Sequence, residues 1–135
     1  MSLKSFFEEW DALASESCKP SVSEWRKGAV RQYTLLMNVE VHLKNVNDGI
    51  ALELYLISSS PQGSGKGTDA LSILCGTADR HGVMLVLTSN SAAPGESQRR
   101  LNNWYIRHGF KKAMEGRDDD VMYMEREPRC ERKTL

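Results

Sequence analysis

The sequence predicts an α/β domain, and three stretches predict it. Residues 39–46, "VEVHLKNV", alternate Val39, Val41 and Leu43 with Glu40, His42 and Lys44, which is the period of a half-buried strand. A glycine-rich loop, "PQGSGKGT" at 61–68, stands between a second apolar strand and a helical pattern. Beyond it come a short apolar run, a second helical pattern and a closing pair of strands. Strands and helices therefore alternate through the middle of the chain.

The elements follow in order. Residues 4–15 place Phe6, Phe7, Trp10, Leu13 and Ala14 on one face and Glu8, Glu9 and Asp11 elsewhere, as an amphipathic helix does. "SESCKPS" breaks it. From Ser23 to Leu36 two readings stay open: Trp25, Ala29, Tyr33 and Leu36 fit a helical face, while "RQYTLLM" has strand composition. Asn47-Asp48-Gly49 is turn chemistry that joins 39–46 to "IALELYLIS" as a hairpin, and this second strand runs directly into the glycine loop. "TDALSILCGTADRHG" spaces Ala70, Leu71, Ile73, Leu74 and Ala78 for a helix that Gly82 can end. "VMLVLTSN" suits a buried strand. "SAAPGE" reads as a turn, with Pro94 opening a helix over "SQRRLNNWYIRHG". On that helix Leu101, Trp104, Tyr105 and His108 share a face, and Gly109 caps it. "FKKAM" and "DVMYMERE" read as a closing strand pair around "EGRDDD". Residues 1–127 are expected to form a single domain, and 128–135 a charged, flexible tail.

Composition narrows the function. A chain of 135 residues is long enough to bury one real core. Its 18 Lys and Arg balance 18 Asp and Glu, so it lacks the basic excess of a nucleic-acid binder. Cys18, Cys75 and Cys130 are odd in number and widely spaced. That suits a reducing cytoplasm, and no ligand spacing suggests a metal. No stretch approaches the ~18 apolar residues of a membrane helix, and the N-terminus has no signal-peptide pattern. A cytoplasmic protein away from membranes is expected.

The glycine loop has two readings. Walker A, G-x-x-x-x-G-K-[ST], wants a glycine at 60 and Ser or Thr at 67, where the chain has Ser60 and Gly67. The following strand ends in Thr88-Ser89-Asn90, without the Asp that holds Mg²⁺ in P-loop enzymes. A P-loop nucleotide kinase is thus the remote alternative. The second reading takes Gln62, Gly63, Gly65 and Gly67 as a Q-x-x-G-x-G loop, with a later Y-x-x-x-G-F signature at Tyr105, Gly109 and Phe110. Together with the element order, these two signatures make residues 39 to about 126 resemble the GNAT superfamily of acetyl-CoA-dependent N-acetyltransferases. The resemblance implies a mixed, mostly antiparallel sheet flanked by helices. The family's usual first strand has no counterpart ahead of the first helical pattern, so a fold trimmed at its N-terminus is expected.

The chemistry of the loop suits a pyrophosphate. Glycines at 63, 65 and 67 let the backbone approach, and the helix beginning near Thr68 points N–H groups and its dipole at the charge. The resemblance implies that Gln62, Gly63, Ser64, Gly65, Lys66, Gly67 and Thr68 hold acetyl-CoA. Lys66 can equally be a solvated loop lysine, and Thr68 can cap the helix. The resemblance further implies that the backbone of Leu56, Ile57 and Ser58 pairs with the pantetheine arm and polarises the thioester carbonyl.

Direct attack by an amine then needs an acid and a base. Tyr105 matches the family tyrosine that protonates the departing thiolate. "ISSSPQGSGKG" is similar to the family's histone acetyltransferase branch, whose usual glutamate falls on Ala51; Glu53, on the same strand face, is the candidate base, and facing solvent opposite a lysine is its alternative. His108 and His42 are weaker candidates. Asn90, Gln98 and Asn102 are further candidates for coenzyme or acceptor contacts; Gln98 stands where the family often has asparagine. Glu115 and Asp118-Asp119-Asp120 offer an acidic rim for a cationic acceptor, or a solvated turn. The expected activity is acetyl transfer from acetyl-CoA to a primary amine of a small molecule or protein. A non-catalytic acyl-CoA-binding or protein-interaction module stays open, as does a homodimer.

Overall fold

The computed structural model describes residues 3–13, 15–18, 30–35, 39–46, 51–59, 65–91 and 95–129. Ten elements follow one another: α1 (Leu3–Leu13), β1 (Ser15–Cys18), β2 (Val30–Leu35), β3 (Val39–Val46), β4 (Ala51–Ser59), α2 (Lys66–Arg80), β5 (Met84–Ser89), α3 (Glu96–Arg107), β6 (Lys111–Lys112) and β7 (Met122–Arg126). The strands form one open, mixed sheet in the order β1-β2-β3-β4-β5-β7-β6. Every pairing is antiparallel except β4 with β5, which is parallel with α2 as its crossover. The chain is therefore an α/β protein.

The ambiguous stretch resolves as strand where it is described. Arg31, Tyr33 and Leu35 are buried while Gln32 is exposed, a period of two. Trp25, Ala29 and Leu36, which would have carried the helical reading, lie outside the described residues. So do the turn at 47–49 and Pro94. Around that turn Val46 pairs with Ala51, as a hairpin requires. The strand expected from "FKKAM" shrinks to Lys111–Lys112, both exposed, because a two-residue edge has nothing to bury.

Register assigns the faces. Tyr33 and Val41 pair, Leu43 pairs with Leu54, Leu52 with Leu85, and Leu87 with Met124. These side chains share one face, and their buried cluster takes in Phe6, Phe7 and Trp10 of α1, Leu71 and Leu74 of α2, and Tyr105 beside Phe110. All three helices contribute to the core on this side. Lys44, Glu53 and Glu125 lie on the other face. Leu13, expected on the apolar side of α1, is 48% exposed at the helix end.

Two polar clamps hold the helices. Glu9 of α1 accepts hydrogen bonds from Arg80, one of them 3.0 Å from Nε, and lies 2.9 Å from His81 Nε2. The Arg80 hydrogen bond holds the Glu9 carboxyl below the usual glutamate range. Arg126, 3% exposed, places Nη1 and Nη2 at 2.7 and 3.0 Å from the Asp79 carboxylate and donates from Nε to His108 O at 2.7 Å. The backbone N–H of Arg129 also donates to Asp79, at 2.7 Å. The charged tail expected from residue 128 thus starts tethered to α2. No helix among the described residues is long and apolar enough to cross a membrane.

Candidate functional site

The parallel pair at the centre of the sheet is short. β4 and β5 match at only three positions, Ala51 with Met84, Leu52 with Leu85 and Glu53 with Val86. β4 then bulges at Tyr55, where Leu54 pairs with Leu43 but Leu56 with His42. An extra residue in one strand bends it and increases its twist. Beyond the bulge β4 stays paired with β3 as far as Ser59, and β5 stays paired with β7 as far as Ser89. The two strands part from each other while each keeps its outer neighbour.

A cleft of about 690 Å³ lies at the carboxyl ends of this pair, bordered by Ile57 and Ser58 of β4, the first turn of α2 and one side of α3. Gly65 is the N-cap of α2, with φ 84°, and no side chain caps the turn. Among the described residues, a Cβ at Gly65 would meet nothing within 4 Å. Glycine is required there by its left-handed backbone. Helix N-termini of this kind attract anions through N–H groups and the dipole.

Of the residues expected at the site, Ile57, Ser58, Gly65, Gly67, Thr68 and Asn90 line the cleft. Lys66 is the first residue of α2, and the backbone of Leu56 belongs to β4 just past the bulge. Gln62, Gly63 and Ser64 lie outside the described residues. Thr68 is not the cap, because the helix begins two residues earlier. Its Oγ1 instead accepts a 2.9 Å hydrogen bond from Trp104 Nε1, which ties α3 to the first turn of α2.

Three side chains sit elsewhere than a direct cleft contact would require. Gln98 and Asn102 are 1% and 0% exposed and do not line the cleft. Asn102 Oδ1 accepts from Ser89 Oγ at 2.6 Å and from Gln98 Nε2 at 2.9 Å, and Asn102 Nδ2 donates to the carbonyls of Asp118 and Asp120. Gln98 Oε1 accepts from the Ser91 N–H at 2.8 Å. Their amides join the end of β5, α3 and the loop before β7. Tyr105 is 7% exposed on the core side of α3, its ring 5.6 Å from Phe110 and 5.1 Å from Trp104. Its hydroxyl has no hydrogen-bond partner among the described residues, and burial pushes the phenol up to about 12.

Glu53 is half-buried on the opposite face of the sheet from Tyr105, in register with Lys44 and Val86. It neighbours Tyr123, whose phenol is raised by burial and then by the charges of Glu125 and Glu53. His108 Nδ1 lies 2.9 Å from Trp104 O, and His42 lies 3.3 Å from Glu40. The acidic loop is partly neutralised: Arg99 reaches Asp118 at 3.4 Å, and Arg117 reaches Asp119 at 3.6 Å.

The residues that sequence reasoning missed are Arg100 and Arg107, which line the cleft from α3. Their spacing of seven, astride Leu101 and Trp104, is the one signal that could have found them. No protein-family model matches this chain, and neither does any curated protein searched. What the site can do rests on its own geometry. Its described lining residues include no carboxylate, and two arginines join a helix N-terminus there. The cleft sets positive charge next to two diverging strand edges.

Proposed function

We propose that the chain is a GNAT-type N-acetyltransferase that moves an acetyl group from acetyl-CoA to a primary amine of a small molecule or protein. The observation that carries this reading is the parting of β4 from β5 after three matched positions, with the N-terminus of α2 at the mouth of the gap. An extended pantetheine arm can take the place of the missing neighbour and pair with the backbone of Leu56, Ile57 and Ser58. The pyrophosphate then meets the first turn of α2, where Gly65 and Gly67 line the cleft.

In the reaction the amine nitrogen attacks the thioester carbonyl carbon, and the carbonyl oxygen takes negative charge beside backbone N–H groups. As the tetrahedral intermediate collapses, the C–S bond breaks. Tyr105 gives its phenolic proton to the departing thiolate, and Glu53 takes the proton that the amine nitrogen loses. A phenol held near 12 stays protonated at neutral pH, and an unpartnered hydroxyl is available as a donor. Glu53 on the other face suits an acceptor that approaches from the side opposite the helices.

The position of Tyr105 off the cleft lining favours one second reading, a module of the same fold that binds acyl-CoA without turnover. Thermal unfolding with acetyl-CoA, coenzyme A or ATP–Mg²⁺ tests the ligand. A compound that binds only the native protein stabilises it by about 2.7 kcal/mol at about a hundred times its Kd. Acetyl-CoA and coenzyme A are expected to raise Tm, and Gly65→Val to weaken the effect. A shift with ATP–Mg²⁺ alone would restore the P-loop reading. Thiol release from acetyl-CoA with a pool of amines separates enzyme from module.

A further inference from the structure

On the α3 side of the cleft, Arg100, Trp104 and Arg107 form a stripe. With a rise of 1.5 Å per residue, Arg100 lies about 6 Å and Arg107 about 4.5 Å from Trp104 along the helix axis. The Trp104–Thr68 hydrogen bond fixes this stripe beside the first turn of α2. Arg107 is exposed and has no carboxylate partner among the described residues. Arg100 is 78% exposed, with Glu96 3.6 Å from its Nε. In a chain of zero formal net charge, two guanidiniums in a cleft with no carboxylate among its described lining residues are a local concentration of positive charge.

The helix N-terminus and the arginine stripe are separate anion-binding elements, and a pyrophosphate needs only the first. We propose that Arg100 and Arg107 form a second anion subsite that takes the 3′-phosphate of coenzyme A, with Trp104 packing against the adenosine between the two subsites. This inference rests on the coenzyme reading above. A phosphate monoester carries close to two negative charges and three acceptor oxygens, which two guanidinium forks match better than one. The indole supplies a flat apolar surface for the base. The subsite makes the 3′-phosphate a specificity determinant.

Calorimetric titration of coenzyme A and dephospho-coenzyme A into the wild type, Arg100→Ala, Arg107→Ala and the double variant tests this. Both arginines are exposed, and circular dichroism checks that each variant keeps its fold. The wild type is expected to prefer coenzyme A by about tenfold or more, the scale of a lost charge-assisted hydrogen bond. The double variant is expected to bind the two compounds alike, and each single variant to lose part of the preference. If the wild type binds both equally, or the double variant keeps the preference, the subsite is overturned while the coenzyme reading stands. If the wild type binds neither compound, the coenzyme reading falls and the subsite falls with it.

Discussion

At the scale of single residues, Asn102 shows how one buried amide holds three parts of the chain. Replacing it by Ala removes the acceptor of Ser89 Oγ and both donors to the 118–120 loop. Buried groups left without partners cost about 1–3 kcal/mol each. Asn102→Ala is therefore expected to lower stability by about 3 kcal/mol in urea denaturation, with little direct effect on coenzyme contacts. Tyr105 makes the opposite kind of demand. A phenol near 12 keeps its proton throughout the range between about pH 7 and 10, so in the proposed mechanism it can act as the acid across that range. The rate of acetyl transfer is thus expected to show no falling limb in that range that depends on Tyr105. A limb present in the wild type and absent in Tyr105→Phe would contradict its burial. The shared face of Leu101, Trp104 and Tyr105 made the surroundings of Tyr105 partly legible in sequence, but those of Asn102 were not. Gln98 and Asn102 look like ligand contacts because amides on a helix near Tyr105 are usually polar surface, and only the fold reveals that their face turns inward.

At the scale of elements, the Asp79–Arg126 pair links α2, β7 and the end of α3. Burial alone would raise the Asp79 carboxyl, but hydrogen bonds from the Arg126 side chain and the Arg129 N–H, with both charges, hold it below the usual aspartate range. A folded pKa below the unfolded one stabilises the protein above the unfolded value, near 3.8, and that stability is lost as pH falls through the folded value. The urea midpoint is expected to drop as pH falls below about 4, and Asp79→Asn to remove much of that dependence. At neutral pH, Asp79→Ala leaves Arg126 buried without its carboxylate and is expected to cost about 3 kcal/mol.

Most elements were legible because their periods are clean. Val39, Val41 and Leu43 mark β3, and the Ala70–Ala78 spacing marks α2. β2 was not, since Tyr33 fits both a 3.6 and a 2.0 period and only its partner Val41 decides. The short match between β4 and β5 leaves no trace in composition, because β4 keeps its apolar run, Leu54 to Ile57, past the last matched pair, Glu53 with Val86. The Arg100–Arg107 stripe became meaningful only once α3 bordered a cleft.

At the scale of the whole molecule, one buried cluster joins all three helices to the sheet. Leu74, fully buried in α2, lies within it. Leu74→Ala is expected to cost about 2–5 kcal/mol. The loss should appear equally in tryptophan fluorescence and far-ultraviolet circular dichroism, since a shared core unfolds as a unit. Transitions that separate by probe would instead mean that the elements around this core do not unfold as one unit.

The brevity of the β4–β5 match has one more consequence. An open sheet ordinarily has two edges, at β1 and β6 here, but strands that part in mid-sheet create two more inside the molecule. Exposed strand edges recruit other strands, including those of a second copy. Under the proposed function, an occupied cleft would close these inner edges and an empty one would leave them open, so coenzyme would also guard against self-association. Light scattering on heating should therefore rise later with coenzyme A bound, by more than the gain in Tm alone explains.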